Sequence, residues 1–211
     1  MPESLDRSTE IARMRGATVD GERFKGCRRG FRGHRRLHSI RAIIQDYMQQ
    51  HEPRAAEELG FFRQMPNLAR AITEAGLARR PDGKRWNHQR RIPALVLERA
   101  TRQLRQAALG GACSFADLIA RVDRAVRSIH GVGELYVYDT ALRIGAHLRL
   151  LPTEVYLHAG ARVGARALGV EYRAAQVPLD QLPPGLRRLE AYEVEDVLCI
   201  YKDWLVTAKG V

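Results

Sequence analysis

Residues 115–149 have the sequence FADLIARVDRAVRSIHGVGELYVYDTALRIGAHLR and show the clearest helical pattern of the chain. In its first half, apolar residues recur every three or four positions, as in an amphipathic helix: Phe115, Leu118, Ile119, Val122, Val126 and Ile129. In its second half, a further apolar stripe follows Gly133: Leu135, Tyr138, Ala141, Leu142 and Gly145. Ser114 with Asp117 is typical of a helix start. The stretch therefore predicts two helices joined by a short connection.

The same helical spacing continues on both sides of this stretch. It covers the segments 37–48, 66–76, 93–107, 157–168 and 194–205. Residues 172–188 contain three prolines and are predicted to form a loop. No segment shows the alternation of a strand. The sequence predicts an all-α fold over residues 37–211, with two helical lobes around a helix-hairpin-helix at 115–149.

The composition favours a polyanionic partner. Lys and Arg number 35 against 24 acidic residues, which gives a net charge of +11. A GC-rich genome, which raises the Arg content of every protein, is the alternative explanation. No apolar stretch approaches the roughly 20 residues of a membrane helix, and the start MPESLDRSTE lacks an apolar signal core. A cytoplasmic location is expected.

Cysteine usage gives no sign of a metal or disulfide framework. Cys27, Cys113 and Cys199 are far apart and form no CxxC pair. Cys113 and Cys199 have apolar neighbours and are predicted to be small buried residues. Neither a metal nor any other cofactor is expected.

Two segments concentrate the positive charge. Residues 1–36 are predicted to be a basic, flexible N-terminal arm, because 23–36 (RFKGCRRGFRGHRR) hold seven Lys and Arg and no acid. Residues 79–92 (RRPDGKRWNHQRRI) form a second basic segment around a Pro-Asp-Gly turn. The candidate DNA contacts in it are Lys84, Arg85, Trp86, Arg90 and Arg91. For Trp86, capping of the hydrophobic core is the alternative.

The connection between the two central helices has the composition of a phosphate site. Gly131 and Gly133 flank Val132, and neither glycine has a side chain to keep a partner away from the backbone. The helix that follows presents free N–H groups and its positive dipole end. We expect Gly131, Val132 and Gly133 to bind double-stranded DNA; an ordinary tight turn between helices is the alternative.

This part of the chain resembles the helix-hairpin-helix of the DNA glycosylase superfamily, which includes the endonuclease III and 8-oxoguanine glycosylase-like enzymes. The matching residues are Ile129, Gly131, Val132 and Gly133, then Leu151-Pro152, Val155-Tyr156-Leu157-His158, Arg162-Val163 and Leu168-Gly169. The resemblance covers about residues 129–170. It implies an all-α protein that binds duplex DNA through hairpin amides and flips a modified or damaged base into a pocket between two lobes.

The chain departs from that family at its catalytic positions. The family's Asp, in a Val-Asp-Thr-His-like run, has no counterpart in Val155–His158. Glu134 and Leu135 stand where the lyase subset has a Lys, and a four-cysteine iron–sulfur cluster is lacking. Two further hypotheses therefore remain: a non-catalytic DNA-binding module of the same fold, and an interaction protein whose charge reflects genome composition alone.

Three residues are candidates for glycosylase chemistry, which needs a carboxylate or an acid–base group near the sugar. Asp139 lies within an apolar, aromatic helix, where a structural ion pair with Arg143 is the alternative. Glu154 lies near the family's Asp position and is a candidate to replace that carboxylate. The alternative is a first-turn Glu that the helix dipole favours, with no catalytic role. His158 is predicted at the start of a helix and is a candidate acid or base. The alternative is a histidine at a helix end that has no catalytic role.

Overall fold

The computed structural model describes residues 37–208, which are mostly helical. The helices are α1 (Ile40–Gln50), α2 (Glu52–Arg63), α3 (Leu68–Gly76), α4 (Ala94–Gln106), α5 (Phe115–Val126), α6 (Glu134–Leu148), α7 (Ala159–Leu168), α8 (Ala191–Ile200) and α9 (Lys202–Leu205). Short 3-10 turns lie at Asn87–Gln89, Leu109–Gly111, Leu179–Gln181 and Leu186–Arg188. The predicted helical class is confirmed. The basic arm predicted for residues 1–36 lies outside the described residues.

A small antiparallel sheet departs from the all-α prediction. Strand β1 (Glu154–Tyr156) pairs with β2 (Gln176–Pro178), and Val155 lies opposite Val177. The expectation that 172–188 form only a loop was therefore wrong at β2. Strands of three residues are too short to show an alternating pattern in the sequence.

Local sequence signals explain where several helices begin. Ser39 accepts a hydrogen bond from the Ala42 amide, and Asn67 accepts one from the Arg70 amide. Ser114 Oγ accepts from the Asp117 amide at 3.1 Å, which confirms the predicted start of α5. These side chains satisfy amides that the first helical turn leaves without partners.

The apolar side chains gather into two cores. The first is built by α2 to α6, and the second by α1, the sheet and α7 to α9. Helix α1 therefore packs with the C-terminal part of the chain. Tyr47 donates a hydrogen bond to Asp196 on α8, and Tyr201 donates one to Asp46 on α1.

Close approach of α7 and α8 depends on a glycine. A β-carbon on Gly164 would lie 2.1 Å from the Leu198 carbonyl oxygen, so a side chain there is excluded. The helix predicted within 157–168 is present as α7, and Gly164 lets it approach α8 closely. Within residues 37–208, none of the helices combines the length and the apolar composition needed to cross a membrane.

Candidate active site and nucleic-acid interface

The connection between α5 and α6 is a tight turn with an open backbone. Gly131 adopts a φ of +91°, which L side chains rarely adopt, and Gly133 is the N-cap residue of α6. A β-carbon on Gly133 would have no atom within 4 Å, and no described side chain caps the first turn of α6. Ile129 and Val132 hold the turn against the first core. The amides at the start of α6 are therefore accessible.

Asp139 lies on α6 six residues after Gly133, about 9 Å further along the helix axis. Its Oδ2 accepts hydrogen bonds from His88 Nε2 at 2.7 Å and from Gln89 Nε2 at 2.9 Å. The Asp139 side chain is 14% exposed and that of His88 is 45% exposed. The carboxylate is thus buried by its partners but close to the surface.

Arg143 does not pair with Asp139, so the expected structural pair of these two residues was wrong. Its Nε donates to Glu58 Oε1 at 2.6 Å, and its Nη1 donates to Gln89 Oε1 at 2.7 Å. Gln89 bridges the two residues, because its amide nitrogen donates to Asp139. Spacing along one helix could not reveal this, since α2 and the turn at 87–89 supply the partners.

His158 precedes α7 and is buried against α8. Its Nε2 is hydrogen-bonded to Glu195 Oε1, and both side chains are 6% exposed. Burial lowers the pKa of His158, but the hydrogen bond and charge of Glu195 outweigh it and raise that pKa. Burial also raises the pKa of Glu195, and the charge of Asp139 adds to both shifts. Asp139 and His158 therefore belong to one electrostatic cluster.

We call this cluster the polar seam, because it joins residues on elements of both cores. It consists of two hydrogen-bonded groups that interact through charge: one holds Glu58, His88, Gln89, Asp139 and Arg143, and the other holds His158 and Glu195. Glu154 lies apart from it: on β1, it shares no described contact with Asp139 or His158. Of the three predicted catalytic candidates, Asp139 and His158 lie in the two groups of the seam, and no described hydrogen bond joins them.

Four seam residues were not predicted from the sequence: Glu58, His88, Gln89 and Glu195. Glu195 belongs to a run of charged residues near the C-terminus, which is typical of a solvated helix face, yet the residue as a whole is 5% exposed. Its position was the available signal, since it follows buried Ala191 by four residues and precedes buried Leu198 by three. Glu58 gave no such signal.

The basic loop 84–91 is anchored to α6 through His88 and Gln89. Arg85 Nη1 donates to the Ile92 carbonyl at 2.8 Å, and half-buried Trp86 packs on the first core with the Arg143 guanidinium 5.2 Å from its ring centre. Both residues thus hold the loop. The exposed cations are Lys84, Arg90 and Arg91.

Cys113 is exposed, which corrects the prediction that it is buried, whereas Cys199 is half-buried on α8. The Cys113 amide and thiol both donate to Asp117. That polar partner, at the start of α5, explains why apolar sequence neighbours did not place Cys113 inside.

Comparison of the chain with protein-family models, with curated proteins and with solved structures found no match.

Proposed function

We propose that the protein binds duplex DNA through the Gly131–Gly133 turn and the basic loop, and that it releases a modified or damaged base with Asp139 as the reacting carboxylate. The observation that carries the proposal is the layout of α6. Its open, glycine-flanked start and a nearly buried carboxylate lie about 9 Å apart on one helix.

The start of α6 has the properties of a phosphate site. The first backbone N–H groups of α6 have no partner among residues 37–208 and point away from the helix, and the helix dipole adds positive potential. Gly133 leaves room for a phosphate to reach them. A β-carbon on Gly131 would lie 3.7 Å from Val96, just beyond the basic loop. The turn and the loop therefore flank the same half of α6.

Charge adds affinity that does not depend on base sequence. Lys84, Arg90 and Arg91 are exposed on a loop whose neighbours His88 and Gln89 contact Asp139. Phosphates bound by these cations would run beside the seam. A base from that strand then has to leave the stack to reach Asp139, because the carboxylate is only 14% exposed. We propose that the two cores are the two lobes between which this base enters.

Asp139 is suited to hydrolysis of an N-glycosidic bond. Positive charge develops on the deoxyribose as the bond from C1′ to the base nitrogen breaks, and a carboxylate stabilises that charge. The oxygen of water then bonds to C1′, and a proton of that water goes to the leaving base by way of the carboxylate. His88 and Gln89 hold the carboxylate in place for both steps.

The non-catalytic alternative is favoured by one observation. The run Val155–His158 lacks the family's Asp, and the nearby Glu154 lies outside the seam. In that case the α6 start and the loop bind DNA, and Asp139 only anchors the loop.

The test measures DNA binding and base release on the same proteins. Wild type, Asp139→Asn and Glu154→Gln are incubated with duplexes carrying oxidised, deaminated or alkylated bases, and abasic sites are then cleaved with alkali. Asp123→Asn, at a surface pair with Arg127, is the matched control. We expect Asp139→Asn to bind DNA as before but to release no base, and to melt only a few degrees lower because its charge pair with His88 is lost. Glu154→Gln and Asp123→Asn should act as wild type.

Three results would contradict parts of the proposal. Affinity that is absent, or that does not change between 50 and 200 mM salt, rules out phosphate binding. Release at the wild-type rate by Asp139→Asn rules out its carboxylate. Binding without release from every modified duplex establishes the non-catalytic alternative.

A further inference from the structure

One group of side chains in the second core has the composition of a metal site. Ligand atoms of His158, Glu195 and Cys199 all lie within 4.8 Å of one another. Glu195 and Cys199 are four residues apart on α8, so they share one face of that helix. His158 comes from the residue before α7. The three donors are thus fixed by two packed helices.

A glycine on α7 makes room for this grouping. A β-carbon on Gly160 would lie 2.5 Å from Cys199 Sγ and 3.5 Å from His158 Cε1. Any other residue at 160 would therefore push the thiol away from the imidazole. Gly164, one turn later, lets the α8 backbone approach equally closely at Leu198.

A buried hydroxyl beside the group lacks a partner. Tyr138 is 3% exposed, and its hydroxyl makes no hydrogen bond within residues 37–208. Its ring centre lies 6.1 Å from that of His158. A buried, unpaired hydroxyl is costly, and a water molecule on a nearby metal ion would pair with it.

The charges of the site also fit a divalent cation. The Glu195 side chain is 6% exposed and Cys199 is half-buried, so little water reaches either donor. A buried anion is costly unless a positive charge lies next to it. A dication would stabilise both the carboxylate and the thiolate.

We propose that His158, Glu195 and Cys199 bind one Zn²⁺ ion through nitrogen, oxygen and sulfur, with a fourth position next to Tyr138. This donor set suits zinc, and bonds of about 2.0–2.3 Å place tetrahedral ligands about 3.5 Å apart. Binding releases the Cys199 thiol proton to the buffer, and the proton between His158 and Glu195 leaves with it. The ion cross-links α7 to α8, and this role does not depend on DNA binding or base release.

The test uses the full-length protein after dialysis against a chelator. Zn²⁺ is expected to bind with one equivalent per chain and to raise the melting temperature. Co²⁺ is expected to occupy the same site and give the near-ultraviolet charge-transfer absorption of a cobalt–thiolate bond. Zn²⁺ should displace Co²⁺ and remove this band, whereas Mg²⁺ should not.

Variants assign the ligands. Cys199→Ser and His158→Gln should each weaken Zn²⁺ binding at least tenfold, and Cys199→Ser should abolish the cobalt–thiolate band. Cys113→Ser is the matched control, because that thiol is exposed to solvent just before α5, a helix of the first core. It should bind both metals as wild type does.

Alkylation of the wild-type protein avoids variants that fail to fold. Zn²⁺ should slow the reaction of Cys199 with iodoacetamide at least tenfold and leave that of Cys113 unchanged, as read by peptide mass spectrometry. The absence of stoichiometric Zn²⁺ binding would overturn the proposal. Zn²⁺ bound while Cys199 stays as reactive as before would overturn it equally, because the ion would then lie on other side chains.

Discussion

The two halves of α6 differ in what holds them. At its start, Gly133 leaves the backbone open, and no described side chain caps the first turn. Two turns later, Asp139 and Arg143 are surrounded by partners from other parts of the chain. Arg143 contacts Glu58, 85 residues before it, and Gln89, 54 residues before it.

This difference separates binding from chemistry. An open backbone end offers N–H groups to any phosphate, whatever the base sequence. A buried carboxylate held by two donors has a fixed position and little contact with water, which suits it to act on one atom of a substrate. The predictions below test whether the two halves are as independent as their contacts indicate.

The largest effect is expected at the buried half. Arg143→Met removes a guanidinium that is 1% exposed and leaves Glu58 and Gln89 without their donor. Breaking a buried ion pair costs about 3–5 kcal/mol of unfolding free energy. Arg127 forms a surface ion pair with Asp123, and its side chain is 63% exposed. Arg127→Met should therefore lower the free energy of unfolding by less than about 1 kcal/mol. Chemical denaturation measures both. Equal losses would mean that the seam contributes no more than a surface pair.

The same contrast explains how much the sequence could predict. The α5–α6 hairpin follows from local spacing, the Ser114 cap and Gly133, all within 35 residues. The partners of Asp139 and Arg143 could not be predicted, because they come from α2 and the turn at 87–89. A search along α6 could only offer Arg143 as the partner of Asp139, and tertiary contacts override that pairing.

The second core was harder to predict for the same reason. It joins α1 to segments more than 100 residues later, as in the hydrogen bond from Tyr47 to Asp196. The burial of Glu195 and Asp196 on α8 is hidden in the sequence, because their partners His158 and Tyr47 lie far away along the chain. Only the helical spacing of Glu195 relative to Ala191 and Leu198 indicated the buried position of that carboxyl group.

DNA binding by the exposed half of α6 and the basic loop beside it is tested first by removing positive charges. Replacing Lys84, Arg90 and Arg91 together by Gln should lower duplex DNA affinity about 100-fold near 0.1 M salt if all three contact phosphates. The slope of log affinity against log salt should shrink by about 2.7. The melting temperature should hardly change, since all three side chains are exposed. Arg85 is kept because it binds the loop backbone.

A control of equal charge separates local contacts from net charge. Arg99, Arg102 and Arg105 are exposed on α4, and their triple Gln variant loses the same three charges. It should bind DNA within a few-fold of wild type. The same loss of affinity in both triple variants would mean that only net charge attracts DNA.

A single methyl group tests the backbone at the start of α6. Gly133→Ala adds a β-carbon that meets no atom of the described residues within 4 Å, at a φ of −115° that alanine adopts readily. We expect about tenfold weaker DNA binding, because the methyl group stands where a phosphate approaches. The free energy of unfolding should fall by no more than about 1 kcal/mol, since alanine is a poorer N-cap residue than glycine. Gly60→Ala on α2, which also meets no atom, should bind normally. Binding equal to wild type in Gly133→Ala would place the phosphate elsewhere.

The smallest effect concerns the contact that joins the loop to the buried half. Burial lowers the pKa of His88, but the hydrogen bond and charge of Asp139 outweigh it, so the folded pKa lies above the ordinary value of 6.5. A raised pKa stabilises the fold fully below the unfolded pKa, and this stabilisation is lost as the pH rises through the folded pKa. The melting temperature of wild type should therefore exceed that of His88→Gln by more at pH 6 than at pH 9. His88 is 45% exposed, so solvent screening limits the difference to about 1–4 °C.

His158 and His51 also titrate, but they are present in both proteins, and the comparison cancels most of their contribution. An equal gap at both pH values, or a larger gap at pH 9, would mean that the charge of His88 does not hold the loop against α6.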